Sequence, residues 1–317
     1  MRCVDHSFKS FFKSLKLPGK HRIPHYLDKD GYFMVIFTNQ QISHKWLKHG
    51  IIKVGNICFK TRQSNVKQVR FLPRQNHIIM EVVYEIDDVK MKPDNKNYAA
   101  IDLGVSNLAT ATSNVIPSFI INGRPVKSIN QYYNKKKAVL QSKLTNSKTS
   151  KRIDRLGQKR HNKITDYFHK SSSYIVNQLD SNHINTLIIG KNKGWKQDIK
   201  LGTENNQKKI TSIPFNQFIQ MLQYKCQLRG INVIIREESY TSKSSFLDRD
   251  PIPNLKDTNI PNFSGTRIHR GLYRSKKGIL NSDVNGSLNI LRKEVGDVIY
   301  NQPIEGLVFN PIRISIL

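Results

Sequence analysis

Carboxylates are scarce in this chain. Its 317 residues hold 23 Asp and Glu against 52 Lys and Arg, a formal charge of +29. Solubility needs far less, so the natural partner is a polyanion, and nucleic acid is the common one. Long apolar runs are missing as well. None approaches the ~20 residues of a membrane-spanning helix, and no signal peptide opens the chain. A membrane surface is therefore the weaker competitor, and a cytoplasmic, nucleoid-associated protein is expected. Cysteine is nearly absent: Cys3, Cys58 and Cys226 stand alone. They make no disulfide framework and no C-x-x-C pair, which fits a reducing compartment and not a structural zinc site. What is present suffices for a core, since 38% of residues are apolar. The length allows two domains, or one large domain with an appendage.

Where acids are rare, a carboxylate inside an apolar strand is informative. The run Tyr98 to Ile101 leads into Asp102 and turns at Gly104, the pattern of a buried strand. An Asp in such a strand is expensive to bury unless it is paired or binds a metal; the plainer reading is a strand-end Asp capping a turn. Two further acidic positions share the setting. Glu237 and Glu238 follow the apolar run Ile231 to Ile235, at the strand end where open α/β sheets place ligands. Asp283 opens a helix in which Gly286, Ser287 and Ile290 recur at three- and four-residue spacing. A face of small residues lets a helix approach a sheet closely, which would bring Asp283 beside Asp102 and Glu238. Three carboxylates so gathered could hold divalent cations, and hard oxygen donors suit Mg²⁺.

The rest of the chain reads as what delivers nucleic acid to that place. Phe8, Phe11, Phe12 and Leu15 fall at helical spacing, and Pro18-Gly19 ends the helix. Residues 31–96 carry several short β-rich runs, Tyr32 to Thr38 first among them, which suggests a small antiparallel barrel or sheet. Lys90 to Lys96 is linker-like. Asp102's strand, Leu108 to Thr112 and Phe119 to Ile121 would form a meander. Residues 127–180 predict a helical hairpin crowded with Lys135, Lys136, Lys137, Arg152, Arg155, Arg160 and Lys163. Such a charge run is commonly only a solvated face; here its density favours contact with a nucleic-acid backbone. His183 to Gly190 predicts a buried strand that returns beside Asp102's by a crossover. Pro214 to Gly230 predicts an amphipathic helix, residues 244–280 a loop-rich excursion, and the tail from Asn301 shows no evident chemistry.

Several of these stretches resemble the TnpB proteins of bacterial insertion sequences, relatives of the type V CRISPR effectors. Ile101 to Thr110 resembles their first RuvC motif and Asn281 to Ile290 the third. Ile189 to Gln197, Asn206-Gln207, Ile213-Pro-Phe215, Glu238 to Lys243, Arg270 to Arg274 and Phe37 to Gln41 are similar to one subgroup. The resemblance implies an α/β fold: an RNase H-like (RuvC) nuclease domain at 97–300, with the basic helical insertion at 127–180. It also implies a β-barrel, wedge-like domain at 31–96, a remnant of a helical recognition region at 1–30 and a tail at 301–317. The implied activity is RNA-guided DNA cleavage by two-metal hydrolysis. Two Mg²⁺ (or Mn²⁺) would be held by Asp102, Glu238 and Asp283, with Glu237 as the fallback ligand. A guide RNA from the transposon end and a double-stranded DNA target are the implied partners. Trp195, Lys196 and Arg270 join the basic hairpin as nucleic-acid contacts. Three departures accompany the resemblance. Gly190 stands where the second-motif Glu is usual, and Glu238 takes that role. Ser244 and Ser245 stand where a four-Cys zinc ribbon would begin, so no zinc is expected. The amino terminus is short. A nuclease-inactive or truncated RNA/DNA-binding relative is the alternative.

Overall fold

Apolar runs punctuated by Gly and Asn become strands in both parts of the chain. The computed structural model describes residues 2–316 apart from 26–28, 30, 75–76, 146, 148, 193–212, 258, 270 and 302–303. It divides into two compact units, residues 1–86 and 87–317.

The first unit opens with helix α1 (Arg2–Ser14). Strand β1 (Val35–Thr38) and the one-turn helix α2 (His44–Leu47) follow, then β2 (Ile51–Val54), β3 (Ile57–Lys60), β4 (Val66–Pro73) and β5 (Ile78–Tyr84). β4 pairs antiparallel with both β1 and β5, while β2 and β3 form a separate hairpin. Ile42, Ile52, Val54, Val66 and Val69 make the core. The first expected strand is shorter than its apolar run: Tyr32 to Met34 lie outside the ladder with exposed side chains.

The second unit is built on a six-stranded sheet. Its chain order is β6 (Tyr98–Leu103), β7 (Asn107–Ser113), β8 (Phe119–Asn122), α3 (Arg124–Gln141), α4 (Lys151–Ser181) and β9 (Thr186–Gly190). Then come α5 (Phe215–Gln227), β10 (Asn232–Arg236), β11 (Thr266–His269), β12 (Leu272–Ser275), β13 (Gly278–Asn281), α6 (Ser282–Val295) and β14 (Ile312–Ile314). The sheet runs β10-β9-β6-β7-β8-β14. β6, β7 and β8 are an antiparallel meander, whereas β9 and β10 run parallel to β6 and β14 runs parallel to β8.

Alternation along β6 and β9 divides the core in two. Ala99, Ile101, Leu103, Leu187 and Ile189 pack with α4 and α5 residues such as Phe168, Ile175, Phe218 and Leu222. Ala100 and Ile188 face the other way, toward Val284, Leu288 and Ile290 of α6. Successive strand residues point to opposite faces, so Asp102 and Gly190 share the α6 face with Ala100 and Ile188.

Two stretches differ from their sequence reading. Within the excursion, β11, β12 and β13 form an antiparallel meander of four-residue strands, too short for alternation to be legible. The tail supplies β14, which adds an edge to the sheet. Residues 90–96, linker-like by composition, are tied to the second unit. Lys92 N–H donates to the Gly230 carbonyl at 2.7 Å, Lys92 Nζ pairs with Asp180 at 2.7 Å, and Asn185 Nδ2 donates to the Pro93 carbonyl at 2.8 Å. Among the described residues no helix is long and apolar enough to cross a membrane.

Candidate functional site

Asp102 stands near the end of β6, in register with Thr110 of β7. Its location follows from α6, which lies across β6, β7 and β9. The close approach rests on small residues. A methyl added at Gly286 would sit 2.8 Å from Asp102 Oδ2. Next to it, Ser287 Oγ lies 3.0 Å from the Ala100 carbonyl and 2.9 Å from Thr112 Oγ1, bonding helix to sheet. Burial pushes the Asp102 carboxyl well above its ordinary value, and the charges of Glu238 and Asp283 push it further. Arg267 and the Leu103 backbone N–H work against the rise. Asp102 therefore lies within electrostatic reach of both Glu238 and Asp283.

Asp283 belongs to the first turn of α6, where Asn281 is the cap: its Oδ1 accepts from Asp283 N–H at 2.9 Å and Val284 N–H at 3.3 Å. Anions are favoured at this helix end. Asn107 Nδ2 donates to Asp283 Oδ2 at 2.7 Å, and Arg267 Nη2 lies 3.5 Å from Oδ1. Ser282 Oγ in turn accepts from Arg267 at 2.9 Å.

Glu238 follows β10, and Gly190 explains its position. A methyl added at Gly190 would lie 2.6 Å from Glu238 Oε2 and closer still to Ile290. The Glu238 carboxylate thus fills space that a side chain on β9 would need. Oε2 is buried and has no hydrogen-bond partner, an exception for a buried carboxylate oxygen. Burial, then the charge of Glu237, push Glu238 up to about 7, with Lys293 opposing. Glu237 has a different fate. Its Oε2 accepts from Lys293 Nζ at 2.8 Å and its Oε1 from Ser239 N–H at 2.7 Å. Burial would raise its pKa, but these bonds outweigh it and hold Glu237 below the ordinary value.

The donor set suits a hard divalent cation in kind: carboxylate oxygens only, one of them orphaned, beside two glycines that keep the space clear. As the side chains stand, no three His, Cys, Asp or Glu among the described residues are close enough together to hold one ion. Asp283 is committed to Asn107 and Arg267 instead.

Sequence reasoning named Asp102, Glu238 and Asp283 as candidates but not Asn107, Arg267 or Lys293, which the structure sets around them. For Lys293 a signal was present, since positions 283, 286, 290 and 293 continue one helical stripe. Asn107 and Arg267 come from a β7 start and a strand that had no legible period.

The basic hairpin exposes Lys135, Lys136, Arg152, Arg155 and Lys163, while Lys137 and Arg160 are half-buried. Both of these lie over the Tyr133 ring, and Arg160 Nε donates to Asn130 Oδ1, which fastens α3 to α4. Trp195, Lys196 and Arg270 lie outside the described residues. Further along, Ser244 and Ser245 sit in a network that uses carboxylates and no thiol. Asp250 Oδ2 accepts from Ser245 and Ser264 N–H, both at 2.9 Å. Asp248 Oδ2 accepts from Ser245 Oγ at 2.7 Å and Ser264 Oγ at 3.0 Å.

Comparison with known proteins places these features. Residues 81–196 match the OrfB_IS605 family, described as a probable transposase, and residues 215–290 match the Cas12f1-like, TNB domain. The chain is 20% identical over 198 residues to the TnpB-like protein MJ0751 of Methanocaldococcus jannaschii, and the match covers 62% of this chain and 66% of that protein. The fold is similar to that of the protein in a Cas12f1-sgRNA-target DNA complex, with a TM-score of 0.50 and 14% identity. That match covers 71% of this chain and 45% of the other.

Proposed function

This chain belongs to the TnpB family, and from that premise we propose that it is a transposon-associated, RNA-guided DNA endonuclease acting through Asp102, Glu238 and Asp283. The observation that carries the reading is the seat of Glu238. Its carboxylate fills the space left open at Gly190, on the sheet face that also bears Asp102, with Oε2 buried and unpartnered. A structural salt bridge would have satisfied that oxygen; a ligand awaiting a cation leaves it bare. The order β8-β7-β6-β9-β10, three antiparallel strands then two parallel ones, supports an RNase H-like nuclease domain. The separate three-stranded sheet and hairpin of the first unit fit a wedge-like domain.

In this reading Asp102, Glu238 and Asp283 would hold two Mg²⁺ (or Mn²⁺) between them. Bound there, the ions would supply an activated water and a counter-charge for the leaving 3′ oxygen. The chain's own residues do the rest. Asn107 fixes the orientation of Asp283 from β7, and Arg267 offsets the mutual repulsion of Asp283 and Asp102. Gly286 keeps α6 close enough for all three carboxylates to share one face. The exposed cations of α3 and α4 would carry the phosphate backbone of the guide RNA and the DNA target, while base pairing, not the protein, reads the target. No zinc is required by a region held together through Asp248 and Asp250.

Co-purification of the full chain with RNA from the flank of its own gene, followed by Mg²⁺-dependent cutting of a matched DNA, tests the proposal. One observation favours a second reading, a guide-dependent binder that does not cut: Asp283 is already paired with Asn107 and Arg267. Binding of matched DNA without cleavage would select it.

A further inference from the structure

Two adjacent glutamates end β10, and the structure separates their duties. We infer that Glu237 and Lys293 form a positioning pair, which pins the segment after β10 to α6 and so presents Glu238 beside Gly190. The inference rests on the nuclease reading for its consequence, and on geometry alone for the pinning.

Lys293 lies on α6, ten residues beyond Asp283. Its side chain is only 6% exposed, unusual for a lysine, which is rarely buried without a partner. Nζ donates to Glu237 Oε2 at 2.8 Å and to the Ser239 carbonyl at 2.9 Å. It therefore grips the residues on either side of Glu238. Glu237 Oε1 takes the Ser239 N–H and closes a tight local turn. The backbone of Glu238 is held from just beyond β9 as well, its N–H donating to Asn192 Oδ1 at 3.1 Å, and Thr241 Oγ1 donates to its carbonyl at 2.8 Å. Farther along, Asn289 of α6 donates to the Thr241 carbonyl at 2.9 Å. Every anchor touches the backbone of this segment or Glu237. None touches Glu238 Oε2. A ligand must be oriented by groups that leave its donor atom free, the arrangement seen around metal-binding residues generally. One helix then carries the third carboxylate at its start and the clamp for the second near its end.

The test uses the full chain and four variants: Lys293→Met, Glu237→Gln, the charge swap Glu237→Lys/Lys293→Glu and, as the ligand-loss control, Glu238→Gln. Two readouts separate pinning from its consequence. Amide hydrogen exchange of the metal-free protein reads the pinning. Lys293→Met is expected to speed exchange in residues 237–241 at least tenfold, with β6 and β9 unchanged. Mn²⁺ titration followed by electron paramagnetic resonance reads the consequence, a tenfold or greater loss of affinity. Glu237→Gln, which keeps an acceptor for Lys293, should lose less, and the charge swap should recover part of both readouts, since it restores the ion pair but neither bond to the Ser239 backbone. Unchanged exchange in Lys293→Met would overturn the pinning. A swap that regains protection but binds Mn²⁺ no better than Glu238→Gln would also overturn the assignment, making Glu237 itself a ligand. Wild-type protein that binds no Mn²⁺ while showing the exchange difference would sink the metal-site reading and support the pinning.

Discussion

Glu238 keeps a carboxyl in a place that opposes its charge, and that has a measurable signature. Burial and Glu237 raise its pKa from the usual 4.5 to about 7. A raised folded pKa means that the native state holds its proton longer than the unfolded chain does. The associated stability is full below about pH 4.5 and is lost as pH climbs toward about 7. A shift of this size corresponds to about 3 kcal/mol. Urea unfolding of the metal-free protein and of Glu238→Gln should therefore converge near pH 4 and diverge by about that amount at pH 8, the variant gaining on the wild type. The glycines opposite have the reverse effect. Gly190→Ala or Gly286→Ala forces a methyl against Glu238 Oε2 and Ile290, or against Asp102 Oδ2. Either should cost about 1–3 kcal/mol in thermal unfolding, as overpacking does, and displace a carboxylate of the proposed site.

At the level of elements, the excursion between β10 and α6 makes the clearest prediction. Asp250 is buried and accepts two backbone N–H groups, from Ser245 and Ser264. Removing a charged acceptor leaves both donors bare, so Asp250→Ala should cost about 2–4 kcal/mol. In buffer free of Mg²⁺ and Mn²⁺, a zinc chelator should leave the wild-type melting temperature unchanged, whereas a zinc-held ribbon would unfold. This is also where the sequence was least legible. The long segments gave themselves away: β6, β7 and β9 as apolar runs, α3 and α4 as a basic helical hairpin, α5 as an amphipathic helix, and Asp102 as an acid where acids are rare. Strands β11, β12 and β13 have four residues each, too few for alternation to emerge among Pro, Asn and Asp. Arg267, on β11, went unseen for that reason. β14 is recruited by pairing with β8, a tertiary effect that the tail's own residues do not announce. The choice between Glu237 and Glu238 was closed to sequence as well, because the buried lysine that separates them lies more than fifty residues away.

For the whole molecule, the charge of +29 means that any measured affinity for nucleic acid depends on salt, so the slope carries more information than the affinity. Lys135, Lys136, Arg152 and Arg155 are exposed on two paired helices. Changing all four to Gln should weaken RNA binding and lower the slope of log K against log salt by about 3, since each phosphate contact on a single strand contributes about 0.7. Arg160, clasped to Asn130 and Tyr133, should respond differently: its loss should loosen the hairpin more than it changes the slope. These measurements define what the chain binds. In the proposed reading cutting depends on Glu238, and the most direct test is Mg²⁺-dependent cleavage of a guide-matched DNA by the co-purified complex. Wild type would be compared with Glu238→Ala and with the exchange Gly190→Glu/Glu238→Gly. The account predicts that wild type cuts, that Glu238→Ala loses at least a hundredfold, and that the exchange, which returns the carboxylate to β9, restores cutting. Cleavage by Glu238→Ala at the wild-type rate would contradict it.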